Sequence, residues 1–309
     1  MITRFSRLVS VLSSPLSRAS LAAGLLGLIL LKLDQAKVWE ALKGFDHRIG
    51  LLMITLNSGL FFLFAARWRF IAFALGIRAP TQRFFQAIML GGFFSQLGPP
   101  LIVGELTRFR LLRPFADKWS IAASQILDRL SGQIALLGLV LLLMPFYAGL
   151  FGSTLEHRIL IVAAILALIC TLGLIVLRRF KSLQYINPES IGTALNPFST
   201  PNHYAASFAI QLLLMLNFTL AAGGIGAGHD SGLVFLLAPL VLSGVTMLPI
   251  TFADWGTREA AALLFFSTTG MTAEHIVAAS LVYGAANLLS ALPGALFLTG
   301  SFESERQNG

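Results

Sequence analysis

Charge is scarce in this sequence. Of 309 residues only 12% are Asp, Glu, Lys or Arg, where a soluble globular domain carries roughly 25%. That shortage excludes an ordinary water-facing surface. Cysteine is rarer still. Cys170 stands alone inside an apolar run, so neither an intrachain disulfide nor a cysteine-based zinc site can form. The histidines at 47, 157, 203, 229 and 275 show no metal-ligand spacing and fall near predicted helix ends. They read as interfacial, and no metal is expected. The pattern Gly-x4-Gly-Lys-Ser/Thr is missing, which excludes a P-loop and ATP drive by this chain; no cofactor is expected. The net charge of +8 comes without interleaved aromatic and basic residues, so nucleic acid is not an expected partner. Lys and Arg collect instead in the cytoplasmic loops of membrane proteins.

Apolar residues are abundant. They make up 56% of the chain, and mean hydropathy is +0.80. About 20 mostly apolar residues span a bilayer, and such runs recur along the whole length. The chain reads as an all-α polytopic membrane protein, a single transmembrane domain over 1–309. Full spans are expected over about 19–33, 49–66, 119–147, 157–177, 204–225 and 272–300, six in all. Arg4, Arg7 and Arg18 precede the first, as in a signal peptide, but no small-x-small cleavage site follows Leu33, so this helix is expected to be retained. The stretch from Asp34 to Arg48 is polar and amphipathic. Arg67-Trp68-Arg69 is expected to end the second span at the membrane surface. Residues 181–203, with Pro188, Pro197 and Pro201, read as a linker between two halves.

Two stretches break the pattern of smooth helices. Residues 83–115 carry Gly91-Gly92, Gln96, Gly98, Pro99 and Pro100, then Gly104, Glu105 and Arg108. Residues 232–268 centre on Pro249, followed by Asp254, Arg258 and Glu259. Prolines and glycines in that density interrupt a helix, so each stretch is expected to form a broken, re-entrant helix pair. Pro100-x4-Glu105-x2-Arg108 corresponds to Pro249-x4-Asp254-x3-Arg258, which suggests a first repeat over 49–147 and a second over 204–300. With the N-terminus inside, 15 of the 22 basic residues fall inside and five outside, as the positive-inside bias requires. Both termini are then cytoplasmic in a bacterial inner (plasma) membrane. The two pairs open to opposite sides, as in an inverted repeat.

Charges at membrane depth cost at least ~2.5 kcal/mol each and persist when paired or facing a cavity. Glu105 and Arg108 share a helix face at i, i+3, and Asp254 and Arg258 at i, i+4. Asp128 and Arg129 are adjacent and point to different neighbours. Ser124 with Asp128, and Gln125 with Arg129 and Gln133, form a polar line on one helix; Ser280, Tyr283, Asn287 and Ser290 form another on the last. The two lines are expected to face each other. One reading is an anion site. Helices restarting after Pro100 and Pro249 present free N–H groups and a positive dipole end. Arg108, Arg258 and Arg129 add fixed charge suited to a phosphate, with Glu105, Asp128, Asp254 and Glu259 holding the arginines when no ligand is bound. The other reading is structural: ion pairs that fasten re-entrant helices, with Tyr283 and Asn287 bonding helix to helix.

The stretches Arg67-Trp68, Gly104-Glu105-x2-Arg108-x2-Leu111-Leu112 and Asp128-Arg129, with Asp254-Trp255-Gly256-Thr257-Arg258-Glu259-Ala260-Ala261, resemble the family of the lysylphosphatidylglycerol synthase transmembrane region. The last contains that family's Gly-x-Arg-Glu-Ala signature, and the resemblance runs from about 20 to 300. It implies a flippase-like role in lipid handling. The soluble aminoacyl-transferring domain of the namesake is absent from this sequence, and Tyr283 stands where relatives often carry a basic residue. The leading expectation is a translocase moving an anionic phospholipid or a polyprenyl or glycolipid phosphate between leaflets. The alternatives are a membrane-embedded transferase acting on a lipid phosphate, with Asp128, Glu105 or Asp254 as base, and a non-catalytic partner in a lipid or glycan biosynthesis complex. A homo-oligomer is also compatible.

Overall fold

The structure is a computed structural model that describes residues 15–97, 103–179, 188–196, 199–226, 231–247, 254–267 and 270–298. Every regular element among these residues is helical. In chain order they are α1 Pro15–Leu31, α2 Gln35–Lys43, α3 His47–Ala74, α4 Thr81–Leu97, α5 Glu105–Leu112, α6 Lys118–Arg179, α7 Pro188–Leu195, α8 Pro201–Gly224, α9 Ser231–Met247, α10 Thr257–Phe266 and α11 Ala273–Ala291. A 3-10 turn, Leu292–Phe297, extends α11. The protein is a multi-pass membrane protein. Among the described residues, five segments are long and apolar enough to cross a bilayer: 47–74, 118–147, 157–177, 201–224 and 273–297. These match five of the six expected spans. The remaining one, α1, is described over 17 residues, the lower end of the ~17–25 that span a bilayer.

Helices suit lipid because they satisfy their own backbone, leaving only the ends to be capped. Short polar side chains do so here. Asp34 accepts from the N–H groups of Ala36 and Lys37 at the start of α2, and Asp46 accepts from Arg48 at the start of α3. Asp117 accepts from Trp119 and Ser120 ahead of α6, and Thr272 from His275 ahead of α11. Each such cap contributes roughly 1 kcal/mol.

The 62 residues of α6 would stretch ~93 Å as one straight rod. They do not. A Cβ placed on Gly173 would stand 2.5 Å from Leu130 Cδ2, so the C-terminal arm folds back along the N-terminal one. The two arms are α6a (118–147) and α6b (157–177).

α3 and α8 pack along each other at the centre, and α11 and α6 flank both. α4 pairs with α5, and α9 with α10. One core cluster joins Met53, Leu136, Phe218, Leu237, Phe265 and Tyr283; a second gathers Trp68, Phe84, Leu112 and Ile121 around the first interrupted pair. Apolar residues such as Leu51, Phe62, Leu142 and Ile161 stay exposed on the outside, the face that meets hydrocarbon.

Two expectations change. α3 does not end at Arg67-Trp68-Arg69 but continues to Ala74, with Arg67 and Trp68 buried. His203 lies in the first turn of α8 and is 2% exposed. The stretch 181–203 is not all linker, since α7 forms within it and α8 begins at Pro201. Gly98, Pro99, Pro100 and Pro249 lie outside the described residues. The helices stop at Leu97 and Met247 and resume at Glu105 and Thr257.

Candidate functional site

Each interrupted pair holds an arginine against a tryptophan. In the first, α4 and α5 approach at glycines: a Cβ on Gly104 would meet Ser95 Oγ and Gly91 O, and a Cβ on Gly91 would stand 3.0 Å from Arg108 Cγ. Small residues allow that approach, and the Arg108 stem lies in the space. Its Nη1 donates to Glu105 Oε1 at 3.0 Å and its Nη2 to Asp128 Oδ2 at 2.8 Å. The guanidinium sits 4.2 Å from the centre of the Trp68 ring, a favourable cation–π distance. Trp68 is fixed in turn, its Nε1 donating to Ser124 Oγ at 3.0 Å.

Asp128 on α6a accepts a second arginine. Arg67 Nε reaches Oδ1 at 2.8 Å. Gly132, one turn further along α6a, leaves the room for it, since a Cβ there would stand 3.1 Å from Arg67 Nη1. Arg129 Nη2 donates to Glu105 Oε1 at 2.6 Å, and Gln125 Nε2 to the Glu105 backbone carbonyl at 2.8 Å. α3, α5 and α6a are thereby tied by one network. Glu105 Oε2 and Arg108 Nε remain buried and unpartnered.

The second cluster is built by its turn. Asp254 has φ +62° and Gly256 φ +86°. Glycine adopts that left-handed region freely, and Asp tolerates it. The turn aims the Gly256 N–H at Glu259 Oε2, 2.6 Å away, so Glu259 reaches back to the start of its own helix. Its other oxygen accepts from Arg258 Nη2 at 3.0 Å and Ser280 Oγ at 2.8 Å. Arg258 Nε also donates to Ser280 Oγ at 3.1 Å. The Arg258 guanidinium lies 4.9 Å from the Trp255 ring and 5.6 Å from the Tyr283 ring. A Cβ on Gly284 would collide with Arg258 Nη2. The Gly-x-Arg-Glu motif thus has a physical basis: glycine for the turn, arginine for the neighbouring helix, glutamate to close both.

The expected pairing of Asp254 with Arg258 on one helix face does not form. Asp254 precedes α10, its backbone is left-handed, and Glu259 takes its place as the ion-pair partner. Asp254 lies within electrostatic range of Arg258 and Arg129. Arg67, Arg108 and Arg129 pair with Glu105 and Asp128, and Arg258 pairs with Glu259; of these four arginines only Arg129 keeps a half-exposed side chain, at 45%.

The two polar lines do not face each other. Ser124, Gln125, Asp128 and Arg129 turn to α3 and α5, whereas Ser280 and Tyr283 turn to α10. Tyr283 bonds to Asn287. Asn287 and Ser290 line a cavity of about 220 Å³ with Asn57, Ser95 and Gln96, walled by Phe61 and Phe64. Arg67, expected at the membrane surface, and Asn57, for which the sequence raised no expectation, are both buried. The signal was present: 53, 57, 60, 64, 67 and 71 repeat at helical spacing, and continuing the apolar stripe of α3 leads through Arg67 into the core.

The arrangement is two clusters of buried arginine–carboxylate pairs near a largely apolar cavity that carries amide and hydroxyl groups. The chain belongs to the lysylphosphatidylglycerol synthase TM region family, whose profile matches residues 10–294. That family is a membrane domain linked to lipid modification and flipping. No curated protein and no solved structure matches the chain.

Proposed function

We propose that this protein is a flippase-like lipid translocase that carries an anionic phospholipid, or a polyprenyl or glycolipid phosphate, between leaflets. The observation that carries the reading is the set of four arginines paired with Glu105, Asp128 and Glu259 in two clusters at the two interrupted helix pairs. Structural ion pairs alone need no half-exposed arginine. Arg129 has one, and it holds Glu105 in a contact that an incoming phosphate can replace. Arginine suits that exchange because its planar fork accepts carboxylate or phosphate alike. Arg108 and Arg258 complete the phosphate site from opposite halves. Glu105, Asp128, Asp254 and Glu259 neutralise the arginines when the lipid has left.

The element order supports an inverted repeat. α1 to α6a and α6b to α11 follow the same sequence: a long apolar helix, a short helix, a span, a 17-residue helix, an interruption, a short helix and a span. Three crossings separate equivalent positions, so the second set runs opposite to the first. Rocking one set against the other gives alternating access. Both termini then lie in the cytoplasm.

The test is lipid movement in reconstituted vesicles, read with acyl-chain-labelled phosphatidylglycerol and a membrane-impermeant quencher. Arg129→Gln and Arg258→Gln are each expected to slow movement about tenfold or more, the loss of one charged hydrogen bond to the ligand. The lipid's mass is expected to stay unchanged. Undiminished movement in both variants at normal protein levels would sink the proposal, and a changed mass would favour the transferase.

A further inference from the structure

The cavity near Arg67 is walled mostly by apolar groups, with a few uncharged polar side chains set among them. It lies between α3, α4, α8 and α11, near the middle of α3 and α8. Its polar lining is made of amides and hydroxyls, from Asn57, Asn287, Gln96, Ser95 and Ser290, with no acidic or basic side chain among the lining residues. About 10–15 Å³ admits a water, so ~220 Å³ holds a group of many atoms.

Asn57 is the telling residue. It is 4% exposed, and neither its Nδ2 nor its Oδ1 has a partner. A buried unpaired polar group costs roughly 1–3 kcal/mol, and leucine would fill the same position without that cost. The other polar groups are partly committed: Ser95 Oγ donates to Gly91 O at 2.7 Å, and Ser290 Oγ to Ala286 O at 2.7 Å. Their acceptor lone pairs remain. An amide offers both donors and acceptors, which matches a hydroxyl, since a hydroxyl also does both. An ammonium group would need a carboxylate or an acceptor-rich cage. A second phosphate would need a cation. The lining supplies neither.

Phe64 connects the cavity to the charges. It forms part of the wall, and its ring lies 5.4 Å from the Arg67 guanidinium. Asn57 lies ten residues before Arg67 on α3, ~15 Å along the helix axis, with Phe64 on the wall between them.

We propose that this cavity binds an uncharged polyhydroxyl group, of the glycerol or sugar type, in the lipid headgroup, and that it discriminates against amine-bearing headgroups. The purpose rests on the translocase reading; the binding does not. The experiment measures lipid retention by native mass spectrometry, with the protein in nanodiscs offered phosphatidylglycerol, glucosyl-diacylglycerol, phosphatidic acid and phosphatidylethanolamine. Phosphatidylglycerol is expected to be retained about tenfold or more over phosphatidylethanolamine, as a site built around hydroxyl hydrogen bonds rejects a ligand lacking them. Retention of glucosyl-diacylglycerol identifies a sugar as sufficient; its rejection beside retained phosphatidylglycerol identifies a phosphate-linked polyol. Asn57→Leu is expected to abolish the preference while the thermal midpoint holds or rises, and Asn287→Leu to weaken it. Equal retention of phosphatidylethanolamine or phosphatidic acid overturns the proposal. So does an unfolded Asn57→Leu, which would make the amide a structural partner. Binding with this preference but no movement between leaflets leaves the site standing and removes the translocase. Movement with no headgroup preference does the reverse.

Discussion

Glu259 has no exposed surface, and both of its carboxylate oxygens are occupied, by Gly256 N–H on one side and by Arg258 and Ser280 on the other. Arg258→Gln therefore strands Glu259 rather than Asp254. Breaking a buried pair from one side costs ~3–5 kcal/mol, because the remaining charge is left uncompensated. The double change Arg258→Gln with Glu259→Gln is expected to recover much of that loss, as both charges leave together. Arg258→Gln with Asp254→Asn is expected to recover little. Thermal unfolding in detergent separates the two double variants, and equal recovery would contradict the pairing. The sequence announced the arginine and the acidic neighbours but not which acid it takes. Spacing favoured Asp254 at i, i+4, and the left-handed turn at Asp254 and Gly256 moved it off the helix. Arg67 was hidden for a different reason. An arginine after a long apolar run looks like an end of span, and its partner Asp128 lies on a distant helix.

The long apolar elements were legible. Four spans lie within three residues of their expected bounds and α3 runs eight residues beyond its expected end, because lipid demands unbroken apolar length and little else. The hairpin in α6 was legible as two spans. Its packing was not legible, since apolar residues on both arms are interchangeable in sequence and only Gly173 marks the close approach. Crosslinking tests it. Leu130→Cys with Gly173→Cys, in a Cys170→Ala background, is expected to join efficiently with a short bis-maleimide. A straight helix would hold these positions roughly 65 Å apart, beyond any such reagent. The short cap-bearing helices were read only as amphipathic or linker sequence. Their order depends on packing, as with α2, which buries Val38 and Ala41 while resting on α11.

At the scale of the molecule, the inverted arrangement predicts that the two interrupted pairs return to opposite faces of the membrane. Arg113 follows α5 and Ser267 follows α10, and both are exposed. Single cysteines in place of each, again without Cys170, are expected to react with an impermeant maleimide from the cytoplasmic and the external side respectively. Labelling of both from the same side would rule out the inversion.

The reach of Asp128 also bears on how the chain enters the bilayer as it is made. Arg67 leaves the ribosome 61 residues before its carboxylate, whereas Arg108 follows Glu105 by three residues and Arg258 is followed at once by Glu259. A lone arginine at membrane depth is costly to release into lipid. α3 must therefore wait, sheltered by the insertion machinery or by its neighbours, until α6a arrives to neutralise Arg67. The second half carries its counter-charge with it and can be inserted one hairpin at a time.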